Sequence, residues 1–145
     1  MEDCIFCKIV SGQAESSKFW ENDEFIAILD LFPNTPGAAL VIAKNHYESN
    51  YLDVDNQIVL QLMKAGKSAA EKIRSGLKTK RVAAAIEGTG VNHLHMHLYP
   101  LHEGKKPDTH DEKPEFALEY RGYITTKPGP MADRIELDTL VKDLK

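Results

Sequence analysis

Apolar and polar positions change rhythm several times along this chain, and each change marks an element. Phe19 to Glu21 and Phe25 to Asp30 are short aromatic or branched runs around Asn22-Asp23, which predicts a hairpin with that pair as its turn. Pro33-Asn34-Thr35-Pro36-Gly37 reads as a loop, punctuated by two prolines and a glycine. Ala39 to Ala43 is apolar throughout and predicts a buried strand ending at Lys44-Asn45-His46.

From Asp53 or Asp55 to Arg74 the period changes. Val54, Ile58, Leu62, Ala65, Ala69 and Ile73 recur at helical spacing and form one apolar face. An aspartate caps the start, and Ser75-Gly76 is the expected stop. Gly66 lies inside this helix, where glycine costs about 1 kcal/mol, so a close packing contact is expected there. Arg81 to Glu87 predicts a strand, Gly88-Thr89-Gly90 a turn, and Val91 to Tyr99 a returning strand stopped by Pro100. Residues 101–114 are polar and rich in lysine, histidine and proline, the pattern of a long loop or flap. Phe116 to Tyr123 predicts a further strand and Met131 to Leu144 a C-terminal amphipathic helix. The fold class expected is α+β: an antiparallel sheet of about five strands, one long helix and a C-terminal helix. It is read as a single domain over residues 1–145, with a core at 4–100 and a flap and C-terminal strand and helix at 101–145.

Length and composition narrow the class. A chain of 145 residues with 42% hydrophobic and 28% charged side chains can build a core, and is neither disordered nor collagen-like. The longest apolar run, Ala38 to Ala43, is far short of a membrane span. The opening Met-Glu-Asp-Cys shows no basic segment leading into an apolar one, so no signal peptide and a cytosolic setting are expected. A net charge of −4 argues against duplex nucleic acid as a partner, but leaves room for a small anion at a local site.

Chemistry concentrates in two clusters. In Val91-Asn92-His93-Leu94-His95-Met96-His97-Leu98-Tyr99-Pro100, strand alternation puts His93, His95 and His97 on one face and Leu94, Met96 and Leu98 on the other. Such a face can be solvated, can bind a metal, or can act on phosphorus. Neutral imidazole is a nucleophile near pH 7, and its neighbours can hold phosphoryl oxygens. The middle one, His95, is the natural nucleophile. The second cluster, Cys4-x-x-Cys7, is open to several readings: a redox pair, a disulfide, half of a zinc site, or two packed thiols. Tyr99, Tyr123 and Trp20 read as packing residues, and His102, His110 and Lys105-Lys106 as solvated.

His-Leu-His-Met-His-Leu-Tyr resembles the signature of the histidine triad (HIT) family, and the resemblance runs from about Cys4 to Pro100. It includes Cys4-Ile5-Phe6-Cys7-Lys8-Ile9, Phe25 to Asp30, Pro33 with Thr35-Pro36-Gly37, and Leu40-Val41-Ile42 leading to Lys44 and His46. What it implies is a homodimeric HIT-like fold that binds an AMP- or GMP-like nucleotide, with no organic cofactor. It implies cleavage at the α-phosphate of a purine nucleoside phosphoramidate or dinucleoside polyphosphate, through a transient nucleotidyl-His95. By the same resemblance His97 contacts phosphate, Asp30 the ribose hydroxyls, and Phe6, Ile9, Phe25 and Leu29 the base. Thr89 and Gly90 offer a phosphate loop. Cys4, Cys7, His46 and His93 would hold a structural zinc, and the His93 carbonyl would then fix the tautomer of His95.

The sequence departs from the family pattern where Ala38 stands after Pro36-Gly37 in place of a usual histidine, and in the short loop Glu87 to Asn92. Both departures weaken the expected activity, and the changed loop favours an alternative that the intact His95 and His97 oppose: a catalytically weak module that binds a nucleotide or a partner and carries a structural zinc. A third arrangement would place all three histidines on one catalytic metal.

Overall fold

In the computed structural model, residues 3–103 and Leu118 are described here. Residues 3–103 belong to one compact unit, Met1–Gly104. The expected flap, the strand at 116–123 and the C-terminal helix lie outside the described residues.

The chain begins with a short helix, α1 (Ile5–Val10), which the sequence pattern did not predict. Strands β1 (Lys18–Glu21) and β2 (Phe25–Leu29) then form the expected hairpin. Its turn is built by Asn22, whose Oδ1 accepts the amides of Glu24 at 3.0 Å and Phe25 at 2.7 Å. Strand β3 (Ala39–Ala43) is buried along its whole length. The long helix α2 (Asn56–Leu77) follows a single 3-10 turn, and Asp55 caps it by accepting the Gln57 amide at 2.7 Å. Strands β4 (Arg81–Ala85) and β5 (His95–Leu101) complete an antiparallel sheet in the order β1-β2-β3-β5-β4. The class is α+β, with five strands and one long helix.

The sheet separates two apolar layers. On one face Leu62, Ala65, Ala69 and Ile73 of α2 pack with Phe25, Ala27, Val41, Leu94, Met96 and Leu98. On the other, Phe6 of α1 packs with Ile26, Ile28, Leu40 and Ile42. Gly66 sits where a β-carbon would stand 2.5 Å from the Met96 sulfur, so the helix approaches β5 closely at that point.

Strand β4 ends at Ala85, two residues earlier than expected, and three further boundaries differ for a physical reason. Helix α2 runs through Gly76 to Leu77 and ends with Lys78 in the left-handed region at φ 53°. Leu77 reaches Gly37, where a β-carbon would lie 2.2 Å from Leu77 Cδ1, and this tertiary contact accompanies the last turn. Pro100 does not stop β5; it pairs with Val82. Its carbonyl faces the Thr35 hydroxyl, beyond the end of β3, so its missing N–H falls on a side where no strand asks for a donor. Residues 91–94 are irregular and the strand starts only at His95, yet Leu94 still enters the α2 layer and the in-out alternation is kept.

Leu62 is fully buried between α2 and the sheet. Leu62→Ala should cost about 3 kcal/mol through lost burial and the cavity it leaves. A urea titration at fixed protein concentration reads this, and a loss below about 1 kcal/mol would contradict the packing described.

Candidate functional site

Helix α1 brings the two cysteines together. Cys4 is its N-cap and Cys7 follows three residues later, so both thiols project from one side of a single turn. They meet His46, just after β3, and His93, just before β5. The Cys4 Sγ lies 3.4 Å from His93 Nδ1, and the Cys7 Sγ lies 3.4 Å from His46 Nδ1 and 3.5 Å from His93 Nδ1. A tetrahedral cation with about 2.3 Å bonds to sulfur and about 2.0–2.1 Å to nitrogen has S···N edges of roughly 3.5 Å, so the spacing fits. The four donor atoms all lie within 4.8 Å of one another. Burial and the neighbouring Cys4 push the Cys7 thiol up, the condition a shared cation would reverse.

The orientation of His93 supports the same use. Its Nε2 donates to the Ala43 carbonyl at 2.7 Å, leaving Nδ1 without a proton and aimed at the thiols. The ring is fully buried, with the His46 ring edge-on at 5.0 Å and Phe6 edge-on at 5.8 Å. The four expected ligands thus form a candidate Cys2His2 metal site.

The His93 backbone carbonyl turns the other way and accepts from His95 Nδ1 at 2.7 Å. A carbonyl can only accept, so His95 carries a proton on Nδ1, and in the neutral ring its Nε2 keeps a lone pair. His95 is 3% exposed, covered by Phe6 at a centroid distance of 5.1 Å. His97 follows on the same face, with its ring 5.1 Å from that of His95. Burial, then the charge of His95, holds the His97 imidazole below the ordinary histidine value, while Asp30 and Glu87 oppose the shift.

Beside this row opens a cleft of about 760 Å³. Of the residues expected to border a base or ribose, Phe6, Ile9, Leu29 and Asp30 line it. Phe25 does not: it points to the opposite face of β2, into the layer under α2. Thr89 and Gly90 are exposed in their turn and do not line the cleft. The sequence reading missed Ile28, Leu40 and Val91, which line it together with Ile5, Leu31 and Phe32 and with the polar Glu15, Ser16 and Ser17. Ile28 and Leu40 were legible as in-facing positions two residues from Ile26 and Ile42. Leu40 pairs with His97 across β3 and β5, which joins the cleft to the histidine row. Asn92 shapes the approach to His93: it accepts the Ser49 amide at 3.0 Å and donates to Glu48 at 2.7 Å.

Comparison with known proteins agrees with this geometry. Residues 11–104 match the HIT domain, and the chain belongs to the HIT family. A HIT-like protein of Borreliella burgdorferi is 40% identical over 106 residues, covering 69% of this chain and 76% of that protein. Among solved structures, a Zn-bound histidine triad family protein from Mycobacterium smegmatis superposes with a TM-score of 0.66 at 28% identity, covering 98% of this chain and 92% of the other. A hypothetical histidine triad nucleotide-binding protein from Sulfolobus tokodaii gives 0.65 at 29% identity, with 96% and 87% covered. No helix among the described residues is long and apolar enough to cross a membrane.

The depressed His97 value carries a sign. Unfolded histidine titrates near 6.5, so the stability this residue contributes is fully present above about pH 6.5 and is lost as pH falls through the lower folded value. Urea titrations from pH 7 downward should show wild type losing more stability than His97→Asn. Parallel pH dependences would refute the assignment.

Proposed function

We propose that this chain is a nucleotide-binding HIT module of modest or no catalytic power, whose N-terminus is clipped to the sheet by a structural zinc ion. The observation that carries the reading is the four-donor cluster of Cys4, Cys7, His46 and His93, joined to an apolar cleft through Phe6, which touches His93 and lines the cleft. Two thiolates and two imidazoles, with three S···N distances of 3.4–3.5 Å, suit zinc, and four protein ligands would leave no open position for chemistry. The metal's contribution is to hold α1 against β3 and β5, and with it Phe6, which covers His95. Base and ribose would occupy the cleft, with Asp30 facing the ribose hydroxyls and the phosphate meeting His95 and His97. The named relatives support both parts, one being zinc-bound and another called nucleotide-binding.

Untagged protein should contain one zinc per chain and bind AMP in a calorimetric titration. Cys4→Ala should lose the metal and lower the melting temperature, because a structural zinc contributes folding free energy directly. Metal-free protein with an unchanged melting temperature in Cys4→Ala would overturn the clip, and absence of AMP binding would overturn the nucleotide reading.

One observation favours a second reading, hydrolysis at the α-phosphate of a phosphoramidate or dinucleoside polyphosphate. The proton that His95 donates to the His93 carbonyl leaves Nε2 available to attack phosphorus. In that reaction the new N–P bond forms as the bond to the leaving group breaks. Water then displaces the imidazole and yields the nucleotide. Ala38 and the short loop 87–92 are consistent with a slow rate. Rapid acid-free quenching with a labelled adenylyl donor should trap label on wild type and none on His95→Ala; no label and no turnover, with AMP still bound, would leave the binding module alone.

A further inference from the structure

The strand that carries the histidines continues beyond them on the same face. Alternation along β5 puts His95, His97 and Tyr99 in one row. The register pairs His95 with Ile42 and His97 with Leu40, and one step past the Ala39–Leu98 pair it sets Ala38 opposite Tyr99. On the opposite edge of β3, the Ala38 carbonyl accepts the Asp30 amide at 2.9 Å, which continues the β2–β3 ladder by one residue. The next rank across the site is therefore Asp30, Ala38 and Tyr99, in which the small, buried Ala38 leaves the polar character to its two neighbours.

The three imidazoles are held in different ways. His93 and His95 are each fixed by a hydrogen bond to a backbone carbonyl, at 2.7 Å in both cases. Among the described residues no side-chain hydrogen bond orients His97. Its ring lies between two others: His95 at 5.1 Å and 67°, and Tyr99 at 5.8 Å with the planes within 2° of parallel. An imidazole that presents its nitrogens to an anion cannot also tie them to protein acceptors, so packing must set its plane. Tyr99 suits that task because burial, then Glu87 and Asp30, raises its phenol, and a neutral ring does not repel phosphate.

We infer that Tyr99 is a positioning residue for phosphate recognition, its ring holding His97 flat so that the imidazole nitrogens face the nucleotide's phosphate. The inference rests on the nucleotide-binding reading above. It also gives Tyr99 a role beyond the packing expected from sequence, and a role particular to an aromatic side chain at this position.

The test compares AMP with adenosine, which differ only in the phosphate, by calorimetric titration of the full-length zinc-loaded protein. Tyr99→Leu should weaken AMP about tenfold, the scale of one charge-assisted hydrogen bond made poorly, and leave adenosine unchanged. Tyr99→Phe keeps the ring and should bind AMP within about twofold of wild type. If Tyr99→Leu does not fold, Tyr99→Thr, also suited to a strand, takes its place. Wild-type AMP affinity in Tyr99→Leu would overturn the inference. So would equal losses for AMP and adenosine, or a Tyr99→Phe as weak as Tyr99→Leu. If wild type itself fails to bind AMP, the nucleotide reading falls and takes this inference with it; if wild type binds and Tyr99→Leu binds equally, only the role of Tyr99 falls.

Discussion

His93 is the residue on which the site depends, because each of its polar groups faces a different structure. Its Nδ1 faces two thiols, its Nε2 donates to the end of β3, and its carbonyl receives the proton of His95. A buried imidazole cannot leave a nitrogen unpaired without a desolvation penalty of about 1–3 kcal/mol, so the three contacts hold one another in place. Tilting the ring to improve one would weaken the others. The four-donor cluster and the histidine row are in this sense one arrangement seen from two sides.

The sheet explains why that construction sits beside a cleft. Both faces of β2 and β3 are apolar, since α2 covers one and α1 only part of the other. Where α1 stops, Ile28 and Leu40 remain as the floor of an open apolar cavity rather than a sealed core. Asp30 follows directly after β2, where the chain leaves the sheet, and so brings a carboxylate to the rim. The cleft therefore follows from a helix of six residues covering a sheet that needs more.

Much of this was legible in the residues. The alternation of histidine with Leu94, Met96 and Leu98 gave the two faces correctly, and the helical spacing from Val54 to Ile73 gave the covering helix. The four-donor cluster was legible only through the family resemblance, since nothing in the spacing of Cys4, Cys7, His46 and His93 along the chain brings them together. Phe25 was misplaced because β2 is buried on both faces: Phe-Ile-Ala-Ile has no polar position to tell one side from the other. Helix α1 was hidden because six residues are too few to display a period, and its stability comes from docking Phe6 rather than from local propensity. The end of α2 depends on the contact of Leu77 with Gly37, forty residues away in sequence, which no local signal reveals.

The four-donor cluster also ties together distant parts of the chain. Its members come from the first helix, the end of the third strand and the approach to the fifth, and the Cys4–His93 contact closes 89 residues of chain. Closing so long a loop has an entropic cost, and pairing β3 with β5 lowers it by bringing the strand ends next to His46 and His93 together. A cation held by all four side chains would be gripped in full only by the completed sheet, so its uptake during refolding would report that the sheet has formed.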